Sequence, residues 1–325
     1  MPGFAIEADD LSRHFGGVRA VDGLQLRVRS GTVFGFLGPN GAGKTTTLHL
    51  LLGLLRPTRG HATVAGIDVA ARPDDVRRHC GALLEHNGLY ERLSARDNLE
   101  FAGRAHGLAA ADRAERIRAV LEDMGLWERR KDRLGTWSRG MKQLLAIGRA
   151  LLHRPAVVFL DEPTAGFDPE AAARLRQEVR ALVRSSGTTV FLTTHNLHEA
   201  EELCDEVAVL RQGRLVAQGR PDALRGDVAP TLEVRGDGFT AAVLARLRKR
   251  KEVASCEVRD GRLVVTLTGD HPGAPLVRLL VDAGARIEEV VRPRSTLEES
   301  FLAILRDGAD AKPAAADGAR QEARP

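Results

Sequence analysis

The first two thirds of the chain alternate short apolar runs with longer stretches in which apolar residues recur at helical spacing. The short runs are rich in β-branched and aromatic residues, which suit the pleated surface of a strand. This alternation is typical of an α/β domain. The pattern predicts strands at Thr32–Leu37, Cys80–Glu85, Ala156–Asp161 and Thr188–Thr194.

A long helical stretch, residues 94–153, separates the second and third of these strands. Ser94, followed three residues later by Asp97, predicts the N-terminal cap of its first helix. Farther along, the i, i+3, i+4, i+7 spacing of an amphipathic helix is met by Ile117, Val120, Leu121 and Met124. We therefore expect a helical subdomain, about residues 88–153, inserted into an α/β domain that spans residues 1–220.

A second unit is expected after a linker at residues 221–230, which contains Gly226 and Pro230. An Asp260-Gly261 pair is a favourable hairpin turn within this unit. The predicted order is strand Thr231–Val234, helix Phe239–Arg250, strand Ala254–Arg259, strand Arg262–Leu267, helix Ala274–Ala283 and strand Arg286–Val291. This β-α-β-β-α-β order indicates a ferredoxin-like α+β domain over residues 231–306, with a further helix at 296–305. Residues 307–325 are rich in Ala, Pro, Gly and charge, and we expect a disordered tail there.

The composition agrees with two domains and with no membrane span. The 325 residues are 43% hydrophobic and 28% charged, and no apolar run approaches the ~20 residues that cross a bilayer. The first residues lack the basic start and apolar core of a signal peptide, so we expect the chain on the cytoplasmic side. The net charge of +4 could suit an anionic surface, but scattered solvated arginines explain it equally well.

A glycine-rich loop follows the first predicted strand and opens a helix. Glycines let backbone N–H groups converge on phosphate oxygens, and a helix N-terminus adds unpaired donors. The loop matches the Walker A pattern, a phosphate-binding P-loop, with Gly38, Pro39, Asn40, Gly41, Ala42, Gly43, Lys44, Thr45 and Thr46. Lys44 is expected to reach the β- and γ-phosphates of ATP, and the Thr45 hydroxyl is placed to ligate Mg²⁺.

Two acids end a later apolar strand. The run Val157–Leu160 is followed by Asp161 and Glu162, as in a Walker B strand. Asp161 can hold the Mg²⁺ shell, and Glu162 can polarise a water molecule for attack on the γ-phosphate. Acids at strand ends are often only helix caps. The two acids therefore indicate a nucleotide site only because they occur together with the Walker A loop.

Further motifs occur in a recognisable order around these two. Trp137–Gln143 looks like a signature loop, Asp161–Pro169 like a Walker B strand that continues into a D-loop, and Thr193–His195 like a switch-histidine loop. Phe15 lies where an adenine-stacking aromatic would be expected. Together the motifs resemble the nucleotide-binding subunits of ABC transporters over residues 5 to about 220.

The resemblance extends past this region. Gly213–Gly219 and two later segments, Ala285–Glu288 and Thr296–Phe301, are similar to the daunorubicin-resistance type of bacterial exporter ATPase. In that branch the permease is a separate polypeptide. The resemblance therefore implies an ATP-hydrolysing subunit at the cytoplasmic face of the membrane, with a transmembrane permease as its partner and without nucleic acid.

The resemblance also implies roles for individual residues. Two copies would form a head-to-tail homodimer with two ATP molecules between them. Glu162 and His195 would serve catalysis in cis, with His195 at the γ-phosphate, and Asp168 of the D-loop would cross the interface. The signature residues that contact ATP in trans would be Ser138, Arg139, Gly140 and Met141.

The chain departs from the family pattern at four positions. Arg139 replaces the first glycine of the signature, Trp137 its leading leucine, and Phe167 the usual leucine of the D-loop. Glu85 stands where most relatives carry the glutamine of the Q-loop. A carboxylate there is attracted to Mg²⁺ but repelled by the phosphate, so we expect Glu85 either to engage the metal or to point to solvent.

Two other functions were weighed. An ABC ATPase that acts on nucleic acid or ribosomes would usually have tandem ATPase domains or a long coiled-coil insertion, whereas this chain has one Walker A motif and no sustained heptads. A P-loop kinase of small molecules would need an acceptor pocket rather than a signature loop. Transport is therefore the favoured function.

Overall fold

The computed structural model describes residues 3–224, 230–259 and 261–292. The chain divides into two compact units, with the boundary between Pro221 and Asp222. The first unit holds the glycine-rich loop and the other motifs named above, and the second holds the predicted α+β pattern.

The first unit contains two sheets, one parallel in its centre and one antiparallel. Its strands are β1 (Phe4–Phe15), β2 (Val18–Arg29), β3 (Val33–Leu37), β4 (Arg59–Val64), β5 (Ile67–Asp68), β6 (Cys80–Leu83), β7 (Val157–Asp161), β8 (Thr189–Thr194), β9 (Glu206–Arg211) and β10 (Arg214–Gly219). Its helices are α1 (Lys44–Leu51), α2 (Pro73–His79), α3 (Ala95–Ala105), α4 (Ala110–Asp123), α5 (Arg139–Leu151), α6 (Pro169–Ser186) and α7 (Leu197–Leu203), and the short α8 (Pro221–Leu224) follows at the boundary.

The central sheet has six strands in the order β10-β9-β3-β8-β7-β6. From β9 to β6 neighbouring strands are parallel, and β10 pairs antiparallel with β9. Every residue of β3 and β7 is buried, as in a sheet covered on both faces. Aromatic rings from β3 and β7 pack around Phe191 of β8, with centroid distances of 5.4–5.6 Å. Because the central strands are parallel, the loops after them emerge at one edge, where the Walker A, Walker B and histidine motifs meet.

The four strands predicted from the apolar runs are all present. Each begins within one residue of its predicted start, and β6 ends two residues before Glu85. The predicted α/β fold is therefore confirmed in its central sheet.

The antiparallel sheet, in the order β2-β1-β4-β5, had not been predicted. Its long strands β1 and β2 pair with several register shifts, one of them between Ala8 and Leu11. Each shift breaks the strict alternation of buried and exposed residues that marks a strand in a sequence. The irregular pairing is thus the physical reason that the sequence pattern missed this sheet.

The helical stretch contains α3, α4 and α5, with short 3₁₀ turns at Trp127–Arg129 and Leu134–Thr136. Ser94 caps α3 as predicted, because its hydroxyl accepts a hydrogen bond from the Asp97 N–H at 3.1 Å. Ile117 and Leu121 are buried along the inner face of α4. Gly148 of α5 allows the close approach of α4, since a Cβ at Gly148 would lie 2.6 Å from Val120 Cγ1. The exact limits of the subdomain stay a prediction.

The second unit consists of β11 (Thr231–Asp237), α9 (Ala241–Arg248), β12 (Val253–Arg259), β13 (Arg262–Leu267), α10 (Ala274–Asp282) and β14 (Arg286–Val291). Its four strands pair antiparallel in the order β12-β13-β11-β14. A core of its own contains residues of both helices and of the inner sheet face, including Leu247, Leu263 and Leu280. The predicted β-α-β-β-α-β order is confirmed. Asp260 of the predicted turn, the helix expected at 296–305 and the tail at 307–325 lie outside the described residues.

No helix in the part of the chain that the structure describes has the length and apolarity to span a bilayer. The three cysteines, Cys80, Cys204 and Cys256, are free and buried.

Candidate active site

The glycine-rich loop lies between β3 and α1 and is closely packed by neighbouring backbone. A Cβ at Gly38 would lie 2.5 Å from the Leu210 carbonyl oxygen, and one at Gly43 would lie 2.2 Å from the Ala20 oxygen. Gly43 also has a φ of 107°, which strains any residue with a side chain. No side chain caps α1, so the N–H groups of its first turn are available to an anion.

Lys44 is folded back over this loop. Its ammonium donates to the carbonyl oxygens of Gly38 at 2.7 Å and Pro39 at 3.3 Å. The same Nζ lies 3.7 Å from Glu162 Oε1. The buried ammonium is therefore held among oxygens by carbonyl groups and by a carboxylate from the end of β7.

Asp161 joins the P-loop to the ends of β7 and β8. Its Oδ2 accepts from the Thr45 hydroxyl at 3.1 Å, and its Oδ1 accepts from the Thr193 hydroxyl at 2.5 Å. The carboxylate is buried and both of its oxygens are satisfied. Hydroxyl and carboxylate oxygens are the ligands that Mg²⁺ prefers in proteins, so Thr45 and Asp161 fit that ion.

Glu162 follows β7 in a left-handed conformation, with a φ of 49°. Its N–H donates to the carbonyl and hydroxyl oxygens of Thr193, at 3.1 Å each. Its Oε2 lies 2.8 Å from Nδ1 of His195, whose side chain is 63% exposed. The turn, which costs about 1 kcal/mol for a residue other than glycine, directs the carboxylate between Lys44 and His195.

These five residues form what we call the P-loop half of the site: Lys44, Thr45, Asp161, Glu162 and His195. They come from the ends of β7 and β8 and the start of α1, and hydrogen bonds or ion pairs join them into one network through the Thr193 hydroxyl. The sequence analysis had named all five as candidate residues, and the structure places them together.

The signature half of the site comprises Ser138, Arg139, Gly140, Met141 and Asp168. Ser138 caps α5, because its hydroxyl accepts from the Met141 N–H at 3.3 Å. Asp168 caps α6 by accepting from the Ala171 N–H at 2.8 Å. No hydrogen bond or ion pair between described residues joins this half to the five residues of the P-loop half.

Arg139 connects the signature loop to the D-loop of the same chain. Its guanidinium lies against Gly166, where a Cβ would be 2.9 Å from Arg139 Nη1. Gln143 of α5 adds a hydrogen bond from its amide to the Pro163 carbonyl at 3.3 Å. The signature loop and the D-loop therefore contact each other, and the D-loop also continues directly from Glu162, whose carbonyl accepts from the Ala165 N–H at 3.0 Å.

Phe15 and Glu85 take no part in either network. Phe15 ends β1 and is 44% exposed, with the Arg13 guanidinium 4.5 Å from the centre of its ring. Glu85 is exposed after β6 and, within residues 3–224, 230–259 and 261–292, makes no hydrogen bond or ion pair. The same residues contain no group of three acidic, His or Cys side chains that could hold a metal ion. The expected contact of Glu85 with Mg²⁺ stays a prediction.

Two polar residues of the site were missed as contributors. The Thr193 hydroxyl supports Asp161, although only the position of Thr193 in the histidine motif had been noted. Glu199 is buried beneath the His195 loop. The sequence contained a signal for this burial. Glu199 stands beside Ala200 and four residues before Leu203, and this spacing puts an acid on the apolar face of α7.

Comparison with known proteins places this geometry in a family. The sequence profile described as ABC transporter matches residues 21–165. A daunorubicin resistance ATP-binding protein of Streptomyces coeruleorubidus is 39% identical over 96% of this chain and 99% of the relative. This chain belongs to the ABC transporter ATP-binding subunits. It is an ATPase whose family couples ATP hydrolysis to transport.

Other relatives of this ABC subunit agree. A bacitracin transport ATP-binding protein of Bacillus licheniformis is 32% identical over 93% of this chain and 98% of the relative. A solved ATP-binding subunit of an ABC transporter has a TM-score of 0.63 and 32% identity, over 68% of this chain and 92% of that one. None of these relatives carries a name that points to nucleic acid, and the resemblance stated from the motifs is confirmed.

Proposed function

We propose that this subunit powers the export of an amphipathic compound of antibiotic type through a separate membrane permease. The observation that carries the proposal is full-length similarity to resistance and transport subunits, which includes the second unit. The names of those relatives refer to daunorubicin resistance and bacitracin transport. The chain would act as a homodimer at the cytoplasmic face of the membrane, bound there through the permease.

ATP would bind at the P-loop half. The glycine-rich loop and the first turn of α1 offer N–H donors to the phosphates, and Lys44 would exchange its carbonyl partners for β- and γ-phosphate oxygens. Phe15 would stack on adenine. Thr45 and Asp161 would hold Mg²⁺, which neutralises phosphate charge when bound.

Glu162 would act as the general base. Its carboxylate is held at one oxygen by His195 and faces Lys44 with the other, so it is oriented toward the position of the phosphates. In that place it can accept a proton from the attacking water, while His195 contacts the γ-phosphate. Both residues would therefore act on the nucleotide bound by their own chain.

The signature half would complete the site of a second protomer. The N-terminus of α5 has no acid in its first turn, and Gly140 lies in that turn. Ser138 and the backbone around Gly140 would donate to the partner's γ-phosphate, with Arg139 and Met141 beside them. Asp168 would cross the interface from the D-loop. Two ATP molecules would thus hold two protomers together until hydrolysis.

The proposal can be tested in membranes of the source cell. A tagged chain is extracted in mild detergent, and a polytopic membrane protein without an ATPase domain should co-purify with it. Inside-out vesicles that contain both proteins should accumulate daunorubicin or bacitracin only when ATP is present. A Lys44→Ala variant is the control, since it should keep the partner but lose accumulation. Recovery of ribosomes or nucleic acid in place of a membrane protein would overturn the proposal.

A further inference from the structure

Glu199 is a charged residue whose side chain is buried next to the candidate catalytic groups. It lies in the first turn of α7 and is 1% exposed. Burial of a carboxylate in a protein interior is unfavourable unless hydrogen bonds compensate for lost water. A purely structural position on the apolar face of α7, beside Ala200, would be filled better by leucine. The presence of a carboxyl group here therefore needs an explanation other than packing.

Its hydrogen bonds enclose the loop that carries His195. The Thr194 hydroxyl donates to Glu199 Oε2 at 2.9 Å. The Asn196 N–H donates to the same hydroxyl at 3.0 Å, and the Asn196 side chain accepts from the Glu199 N–H at 3.2 Å. The residues immediately before and after His195 are thus tied to Glu199. The exposed His195 ring itself contacts the Glu162 carboxylate at 2.8 Å.

The electrostatic surroundings connect Glu199 to the Glu162 loop as well. Burial raises the pKa of the Glu199 carboxyl, the hydrogen bond from Thr194 and the nearby Thr164 hydroxyl oppose that shift, and the charge of Glu162 adds to it. Thr164 lies two residues after Glu162. Glu199 Oε1 has no hydrogen-bond partner among the described residues. One buried carboxyl therefore lies beneath both loops that supply the proposed catalytic pair.

We infer that Glu199 is a positioning residue, which holds the Thr194–Asn196 loop so that His195 stays within hydrogen-bond reach of Glu162. The inference rests on the proposed roles of Glu162 and His195. The positioning depends on the Glu199 oxygen that accepts from the Thr194 hydroxyl. Because an amide also has an acceptor oxygen, glutamine should substitute for Glu199. We also predict that Glu199 matters for turnover far more than for the binding of ATP, because Lys44 and the glycine-rich loop are supported by other groups.

The test is steady-state ATP hydrolysis by the full chain, with ATP affinity measured separately with a fluorescent analogue. Glu199→Leu should lower kcat roughly 10- to 100-fold, because small displacements of catalytic groups have effects of that size. Affinity for the analogue should change by less than about threefold. Glu199→Gln, which keeps an acceptor for Thr194, should retain kcat within about threefold of wild type.

A double-mutant cycle shows whether Glu199 acts through the histidine. In a chain that already carries His195→Ala, Glu199→Leu should lower kcat by less than about twofold. Thr194→Val, which removes the donor but keeps the shape of the side chain, should reproduce the loss and serves if Glu199→Leu fails to fold. A fully additive effect in the His195→Ala background would overturn the inference, as would normal kcat in Thr194→Val.

The failure of this inference can be told apart from failure of the proposed function. Glu162→Gln is measured beside the other variants. If Glu162→Gln hydrolyses ATP like the wild type, the proposed catalytic site is wrong. If Glu162→Gln is inactive and Glu199→Leu has wild-type kcat, only the positioning role is wrong.

Discussion

The two halves of the nucleotide site are built in different ways within one chain. In the P-loop half, partners far apart in sequence meet, such as Thr45 and Asp161, which are 116 residues apart and bonded at 3.1 Å. In the signature half, the polar side chains accept hydrogen bonds from backbone N–H groups three residues later. Ser138 accepts from Met141, and Asp168 accepts from Ala171. One half is a network that crosses the sheet edge, and the other is a pair of capped helix starts.

This difference indicates how the work of binding and catalysis is divided. The P-loop half already holds Lys44, Glu162 and His195 in contact within one chain, and preorganised polar groups are effective in catalysis. The signature half has uncommitted N–H donors at the start of α5, and the part of the chain that the structure describes contains no metal-binding cluster near them. It is suited to recognise a phosphate that another chain presents. Mutations in the two halves are therefore expected to impair ATP hydrolysis in different ways.

The largest expected effect comes from Glu162, the proposed base of the P-loop half. Glu162→Gln should lower kcat roughly 100- to 1,000-fold or more, because general-base catalysis contributes that much. ATP should still bind through Lys44 and Thr45, and the variant should accumulate as a dimer. Size-exclusion chromatography with ATP and Mg²⁺ measures the dimer, and the same run without nucleotide is the control. Wild-type turnover in this variant would show that another group is the base.

The sequence predicted the P-loop half well because its residues end short buried strands or lie in the loop and helix start that follow one. Asp161 and Glu162 end such a strand, and parallel pairing of β7 with β8 then brings them to His195. The antiparallel β1–β2 pair was missed because bulges disturb its alternation. The depth at which Glu199 is buried could not be read from the pattern, since burial of α7 depends on which strands it covers.

A smaller effect is predicted at Glu85, which lies outside both halves. β6 pairs with β7 at Leu83 and Leu160, so Glu85 and Asp161 leave the sheet at the same edge. If Glu85 approaches Mg²⁺ in the closed dimer, Glu85→Gln should shift the Mg²⁺ concentration for half-maximal hydrolysis upward by a few fold. The titration is made with the permease present. Superimposable curves for variant and wild type would leave Glu85 as part of a docking loop only.

The burial of Glu199, beside the P-loop half, also predicts a pH effect on stability. Because the folded pKa of Glu199 is raised above the usual 4.5, the folded state binds this proton more tightly than the unfolded state. The free energy of unfolding should therefore fall as the pH rises above that value. Glu199→Gln should remove the loss, so its stability relative to wild type should rise as the pH increases from 4.5 to 7.

Chemical denaturation across that pH range measures this difference. Glu199→Leu is the matched control. It also removes the titratable carboxyl group, and in addition it removes the acceptor for the Thr194 hydroxyl. Both variants should therefore change their stability relative to wild type with the same pH dependence, even if their absolute stabilities differ. A constant difference between wild type and Glu199→Gln at every pH would contradict the assignment.

The smallest effect is expected when the second unit is removed. All residues of both halves lie before residue 220, and the second unit carries no nucleotide motif. A chain of residues 1–220 should bind ATP with a dissociation constant within about twofold of the full chain. The same truncation with Lys44→Ala is the control for specific binding. A truncated chain that is folded by circular dichroism yet binds no nucleotide would show that the units are not modular.

The most direct test of the two-half account mixes two variants that are each inactive. Lys44→Ala removes the P-loop half and leaves the signature half intact. Gly140→Asp does the reverse, and it should not disturb the fold, because a Cβ at Gly140 meets only Phe167 at 4.0 Å. In a random mixture, half of the dimers would carry one complete site, so ATPase activity should recover to about a quarter of wild type. If the mixture shows no more than the summed activity of the separate variants, the two halves do not complete each other across a dimer.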